Sequence, residues 1–173
     1  RFAFDEVVHE EGQELDDQTR YMAILSALIG CQGKEAFQMI LPKALEAGVT
    51  PVMVKEIVYQ SVDYVGFGRM LPFLEITNQV LEEGGIPLPL ENQGTTTAEN
   101  RLEKGAEAQA EIFGEQMKEA WKAGHINRWL AANCFGDYYT RKGLDLAQRE
   151  MITFCFLMGQ GGCEPQLTAH AKG

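Results

Sequence analysis

The chain has 173 residues, 45% hydrophobic and 23% charged, with a net charge of −10 from 25 acidic and 15 basic residues. That composition supports a packed core and disfavours a nucleic-acid partner or an anionic membrane surface, because both need clustered basic groups. No apolar run reaches the roughly 18 residues that span a bilayer, and no signal peptide is visible. The four cysteines form no C-x-x-C pair, which fits a reducing cytoplasm better than a disulfide scaffold.

The first helix is predicted over about 17–29. Leu15-Asp16-Asp17-Gln18 supplies cap residues, and Met22, Ile24, Leu25, Leu28 and Ile29 form a wide apolar face that Gly30 ends. A second helix spans about 34–47, with Pro42 expected to kink it and Gly48 placed for a left-handed C-cap. Thr50-Pro51 joins an N-cap residue to proline at the first helical position. The third helix that starts there is apolar at Val52, Val54, Ile57, Val58 and Val62, and Gly66-Phe67-Gly68 breaks it. A fourth helix covers about 69–82.

The stretch Gly84 to Pro89, followed by Asn92-Gln93-Gly94-Thr95, reads as a linker. Thr96 and Glu99 have the spacing of a capping box, and a long amphipathic helix follows to about Ala123. A shorter helix over 126–135 carries Trp129 and Leu130. Sustained strand-type alternation is missing, so the fold class is all-α.

Two segments look alike. Leu15-Asp16-Asp17-Gln18-Thr19-Arg20 leads through an apolar helix to Gly30-Cys31, and Leu144-Asp145-Leu146-Ala147-Gln148-Arg149 leads through another to Gly162-Cys163. The pattern predicts a tandem repeat: a first copy over 1–83, a linker over 84–98 and a second copy over 99–173. The first residue is Arg1 rather than methionine, and only 10 residues follow Cys163 against 52 from Cys31 to Glu83. Natural sequence is therefore expected beyond both ends.

The chemistry concentrates in the second copy. Pro165 is placed to begin a helix, which puts Cys163 at its N-terminus, where amides and the helix dipole favour a thiolate. His170 follows Cys163 by seven residues, about two turns, so both can face one side. Glu150 stands near the start of an otherwise apolar helix, either solvated at its end or buried with a raised pKa. Such a trio can form a relay in which the imidazole exchanges a proton with the thiol and the carboxylate orients it. Each residue also has a plain structural reading: a dipole-favoured acid, a small space-filling thiol, a structural histidine. Cys155, inside the apolar run Ile152 to Met158, reads as a buried, inert thiol.

The run from Phe135-Gly136-Asp137-Tyr138-Tyr139 through Arg149-Glu150 to Gly162-Cys163-Glu164-Pro165 and His170 resembles the signature of the carboxymuconolactone decarboxylase family. Relatives of that family include the alkylhydroperoxidase-D-type thiol enzymes. The first copy is similar through Ala47-Gly48-Val49-Thr50 and Tyr64-Val65-Gly66-Phe67. The resemblance implies a tandem helical repeat of the alkylhydroperoxidase-D-like type, assembled into a trimer-like or hexamer-like homo-oligomer, with a small-molecule substrate and no cofactor or metal. In the thiol branch a glutamate, two cysteines and a histidine carry a peroxide-linked relay. Glu150, Cys163 and His170 match three of these positions, and Gln166 occupies the fourth. In the first copy Tyr21 and Gln38 stand where the glutamate and histidine belong.

Three readings follow. One is a lyase acting on a small cyclic carboxylate or lactone, with His170 and Glu150 in acid–base roles. Another is a thiol oxidoreductase using Cys163 without a resolving cysteine. The last is an oligomeric scaffold without catalysis.

Overall fold

The computed structural model describes Phe2, residues 6–12 and residues 14–172. The expected outer limits of the two repeats, Arg1 and Gly173, lie outside the described residues. The described residues contain helices and no strand, and the fold is all-α. In chain order the helices are α1 (Asp17–Gly30), α2 (Lys34–Glu46), α3 (Pro51–Gln60), α4 (Val62–Val65), α5 (Phe67–Glu83), α6 (Arg101–Phe113), α7 (His125–Trp129), α8 (Leu146–Gln160) and α9 (Glu164–His170). A 3-10 helix runs from Glu115 to Ala123, and a π-helix from Leu130 to Tyr139.

Local chemistry fixes most of the boundaries. The Asp16 carboxylate accepts the Thr19 amide at 2.8 Å and starts α1. Thr50 caps α3 in the same way, with Pro51 in the first turn. Asp145 and Gln148 form a reciprocal capping box on α8, at 2.8 and 3.0 Å.

Four sequence expectations change. The third helix, expected to run unbroken to Gly66, is divided at Ser61 into α3 and α4. The long helix to Ala123 divides at Gly114, whose φ of +103° breaks the α-helix and leaves a 3-10 helix beyond it. The capping box at Thr96 does not form, because the Thr96 hydroxyl donates instead to the Gly136 carbonyl at 3.0 Å and Asn100 takes the N-cap place. The helix expected over 126–135 continues to Tyr139 and turns π-helical from Leu130. From it the Cys134 thiol and the Tyr139 hydroxyl both reach the Tyr64 hydroxyl, at 3.4 and 3.3 Å.

The main core is enclosed by α1, α2, α3 and α5 and completed by α8. Met22, Leu25, Phe37, Leu41, Ile57, Phe73, Ile152 and Phe156 are all fully buried in it. The two look-alike helices, α1 and α8, pack directly on each other. A Cβ at Gly30 would lie 2.4 Å from the Phe156 carbonyl oxygen, and one at Gly159 would lie 2.5 Å from that of Ala27. Gly30 and Gly159 are 129 positions apart, and so are Ala27 and Phe156, and Arg20 and Arg149. The contact is thus reciprocal under the same offset that relates the two segments. A smaller cluster of Ala108, Cys134, Phe135 and Tyr139 joins α6 to the π-helix.

Candidate functional site

Two polar pairs face each other across buried ground. Glu56 and Gln60 are one turn apart on α3, and Arg149 and Thr153 are one turn apart on α8. Arg149, fully buried, donates to Glu56 Oε2 at 3.1 Å, to Gln60 Oε1 at 2.8 Å and to the Arg141 carbonyl at 2.8 Å. Arg141 grips the same carboxylate in bidentate fashion, Nε to Oε2 and Nη2 to Oε1, both at 2.9 Å. Burial lowers the Arg149 pKa, and the Glu56 charge and hydrogen bond work against that fall. This triad ties α3 to α8 and to the chain that enters α8.

The hydrogen-bond chain continues toward a histidine. Gln60 Nε2 donates to the Thr153 hydroxyl at 2.9 Å, and that hydroxyl meets the Tyr139 hydroxyl at 2.8 Å. Tyr139 spends its own proton on Glu150 Oε1 at 2.7 Å. The other oxygen, Oε2, lies 2.8 Å from His170 Nδ1. The Glu150 and His170 side chains are 6% and 12% exposed, so the pair is shielded from competing water. Glu150 is therefore the buried carboxylate of the two alternatives its sequence position allowed. Burial first, and then the negative charge of Glu150, push the Tyr139 phenol well above its usual range, so it remains a donor. Tyr64 and Phe113 hold the imidazole edge to face, at centroid distances of 6.0 and 5.6 Å.

With Nδ1 committed to Glu150, His170 has Nε2 left, and the residue lines a cavity of about 420 Å³. Tyr64, Phe113, Phe135 and Leu157 give this cavity an apolar wall, and Asp63, Gln109, Cys134 and Gln166 its polar groups. A second cavity of about 570 Å³ adjoins it, sharing Asp63, Leu130 and Cys134, and is lined by Arg101 and Arg128. Asp63 accepts from Asn133 Nδ2 at 2.9 Å, and desolvation raises its pKa to about 6 against the help of Asn133 and Cys134. No group of three His, Cys, Asp or Glu side chains able to hold a metal occurs among the described residues.

Cys163 is placed differently from Glu150 and His170. It caps α9 with non-helical backbone, φ −138° and ψ 41°, and its thiol donates to the Leu157 carbonyl at 3.4 Å. It is not among the residues that line the 420 Å³ cavity, whereas Gln166, four residues before His170 on the same helical face, is. Cys31 makes the matching contact in the first copy, its thiol on the Leu28 carbonyl at 3.6 Å. Leu28 and Leu157 again stand 129 positions apart. The two thiols reach those carbonyls differently, since Cys31 lies three residues after Leu28 and Cys163 six after Leu157. The thiol that does line the cavity is Cys134, and burial, then the charge of Asp63, raises its pKa strongly. Cys155 is buried, with its thiol raised to about 11 by desolvation.

Several members of this site carry no motif in the sequence. Thr153 and Gln60 are legible only as polar residues at helical spacing in apolar helices. Asp63 and Gln109 arrive from α4 and α6, elements distant in sequence from α8.

Residues 1–79 match the family model of the carboxymuconolactone decarboxylase family. Over these residues the chain is similar to that family. The match spans α1 to α4 and most of α5, and ends before Glu150, Cys163 and His170. It supports a decarboxylase-like or alkylhydroperoxidase-D-like fold and assigns no residue its role. No curated protein matches the chain at a significant level. No helix among the described residues is long and apolar enough to cross a membrane.

Proposed function

We propose that the chain is a lyase-type enzyme acting on a small cyclic carboxylate or lactone, with His170 as the acid–base residue and Glu150 orienting it. The observation that carries this reading is the shielded 2.8 Å contact between Glu150 and Nδ1 of His170, a histidine that lines the cavity. The reaction needs little more from the protein. Heterolysis of a carbon–carboxylate bond releases carbon dioxide and leaves the electron pair conjugated with a neighbouring carbonyl. Protonated His170 delivers the Nε2 proton to that carbon, and solvent returns a proton to the imidazole. Glu150 stabilises the imidazolium before transfer, and Tyr139 and Thr153 keep the carboxylate from turning away. Arg128 supplies positive charge in the adjoining cavity for the substrate carboxylate, beside Arg101, which is paired with Asp137.

A thiol peroxidase fits less well. Its nucleophile must reach the histidine, and the Cys163 thiol is bonded to a backbone carbonyl instead. The deciding experiment runs a lactone-decarboxylation assay beside a peroxide-consumption assay on wild type, His170→Gln and Cys163→Ser. The expected result is decarboxylation that His170→Gln abolishes and Cys163→Ser spares. Peroxide consumption that disappears in Cys163→Ser would replace this reading with the thiol one, and inactivity in both assays would favour the scaffold.

Assembly and location belong to the same proposal. Ile126, Trp129 and Met158 are 70%, 65% and 53% exposed, and exposed large apolar side chains support a homo-oligomer. Light scattering that found only monomer at micromolar concentration would remove it. Four free cysteines support a reducing, cytoplasmic setting.

A further inference from the structure

A third cavity, of about 190 Å³, shares no lining residue with the two described above. Val52, Lys55, Glu56 and Tyr59 line it from one stripe of α3, together with residues 90–93 of the linker and Arg141. Its buried charge is unbalanced. Lys55 is 8% exposed, and its ammonium donates to the Asn78 side chain. No carboxylate forms an ion pair with it among the described residues, and the exposed Glu82 acts on it only through charge. Glu56 is fully engaged by Arg141 and Arg149. Glu91, the other carboxylate that lines the cavity, is exposed. Lys55, Arg141 and Arg149 thus stand on largely buried ground against the single carboxylate of Glu56. Buried charge without a counter-ion is costly, so the excess points to an anion that the protein does not supply.

A donor is open to that anion. Arg141 spends Nε and Nη2 on Glu56, and its Nη1 makes no hydrogen bond. The unpaired side-chain atoms closed to solvent among the described residues are Gln109 Oε1 and Arg149 Nε, so Nη1 of Arg141 is accessible. Lys55 Nζ and Arg141 Cζ lie 5.6 and 5.4 Å from the centroid of the Tyr59 ring, which brings both charges to one side chain of the cavity. We infer that this cavity is a binding site for a phosphate group, with Arg141 Nη1 as a donor and Lys55 supplying charge. Two positive charges in excess suit a phosphate dianion better than a monocarboxylate, and arginine and lysine are the side chains that bind it. The site is independent of the proposed lyase reaction.

The test is calorimetric titration of the full chain with inorganic phosphate, glycerol 3-phosphate and acetate, near neutral pH and at constant ionic strength, beside amide NMR spectra of the same titrations. Phosphate is expected to bind with a dissociation constant below ~1 mM, and acetate at least ~10-fold more weakly. The amides of Asn92 and Gln93 are expected to shift along the same saturation curve, while those of Phe113 and Gln166 stay fixed. Lys55→Met, checked for folding by circular dichroism, is expected to weaken phosphate binding by ~10-fold or more. Tighter binding of glycerol 3-phosphate would assign the site to a phosphorylated small molecule, and equal or weaker binding to the free ion. Phosphate binding no stronger than that of acetate, full affinity in folded Lys55→Met, or shifts centred on Phe113 and Gln166 would each overturn the inference. Should Lys55→Met not fold, the wild-type affinities and resonances decide.

Discussion

Arg20 and Arg149 occupy the same place in two look-alike segments, yet one sits at the surface and the other is fully buried. Arg20 bonds to the exposed Asp17 carboxylate and to the Leu15 carbonyl at 2.7 Å, all within its own helix entrance. Arg149 bonds to Glu56 and Gln60, which come from another part of the chain. The residues that follow diverge in the same way. Tyr21 and the exposed Gln38 take the places of Glu150 and His170. The crossing of α1 on α8 is reciprocal, with Gly30 against Phe156 and Gly159 against Ala27. What differs is the cover. Helix α6, the π-helix and α4 lie over the second hairpin and enclose a cavity there, so shared local structure supports chemistry only where other elements exclude water.

This contrast is most directly broken at the arginines. Arg149→Ala is expected to lose ~3–5 kcal/mol of stability in urea denaturation, the usual effect of dismantling a buried ion network from one side. Arg20→Ala is expected to lose under ~1 kcal/mol, as for exposed pairs. Similar losses at the two positions would erase the distinction.

Replacing the second-copy residue with its first-copy counterpart sharpens the comparison next. His170→Gln is expected to lower turnover by ~10²–10⁴-fold, the range of general acid–base contributions. The reverse change, Gln38→His, is expected to leave turnover untouched, because that position has no Glu150 equivalent to orient a ring.

The hairpin packing should respond alike in both copies. Gly30→Ala and Gly159→Ala each drive a Cβ into a backbone carbonyl, so each is expected to destabilise by ~1–3 kcal/mol or more, read from melting curves. A harmless substitution at one of the two would show that the crossing is not reciprocal in energy.

Thiol reactivity gives a smaller but independent comparison. Under limiting iodoacetamide near neutral pH, Cys31 and Cys163 are expected to label at rates within ~10-fold of each other, with Cys134 and Cys155 protected until the protein is denatured. Cys163 labelling far ahead of Cys31 would return the thiol relay to first place.

The smallest expected effect is a pH dependence at Asp63. Its pKa is raised to about 6, so the folded state favours the neutral acid, and its stabilising share is present at low pH. Stability from this group falls as pH climbs from the ordinary carboxyl range through about 6. Asp63→Asn is expected to flatten that slope and to raise the melting temperature slightly at pH 7. A steeper slope in the variant would contradict the assignment.

The amino-acid sequence by itself determined the helices, because caps, prolines and glycines act within one or two turns. Asp16, Thr50-Pro51 and Gly48 did their work where the local pattern placed them. The likeness of the two segments was legible for the same reason, since the offset of 129 is written in residues on α1 and α8. Glu150 and His170 could be paired from helical spacing across a short turn. The role given to Cys163 depended on how a non-helical cap residue turns its side chain, and spacing does not report that. Only the tertiary structure decided that Tyr139, Thr153, Gln60 and Glu56 stand behind Glu150, that Gln109 and Asp63 face the cavity, and that the long helix ends at Gly114. Those relations join α3, α4, α6, α8 and the π-helix, and they follow from which apolar faces exclude water together, a property of the packed whole rather than of any single segment.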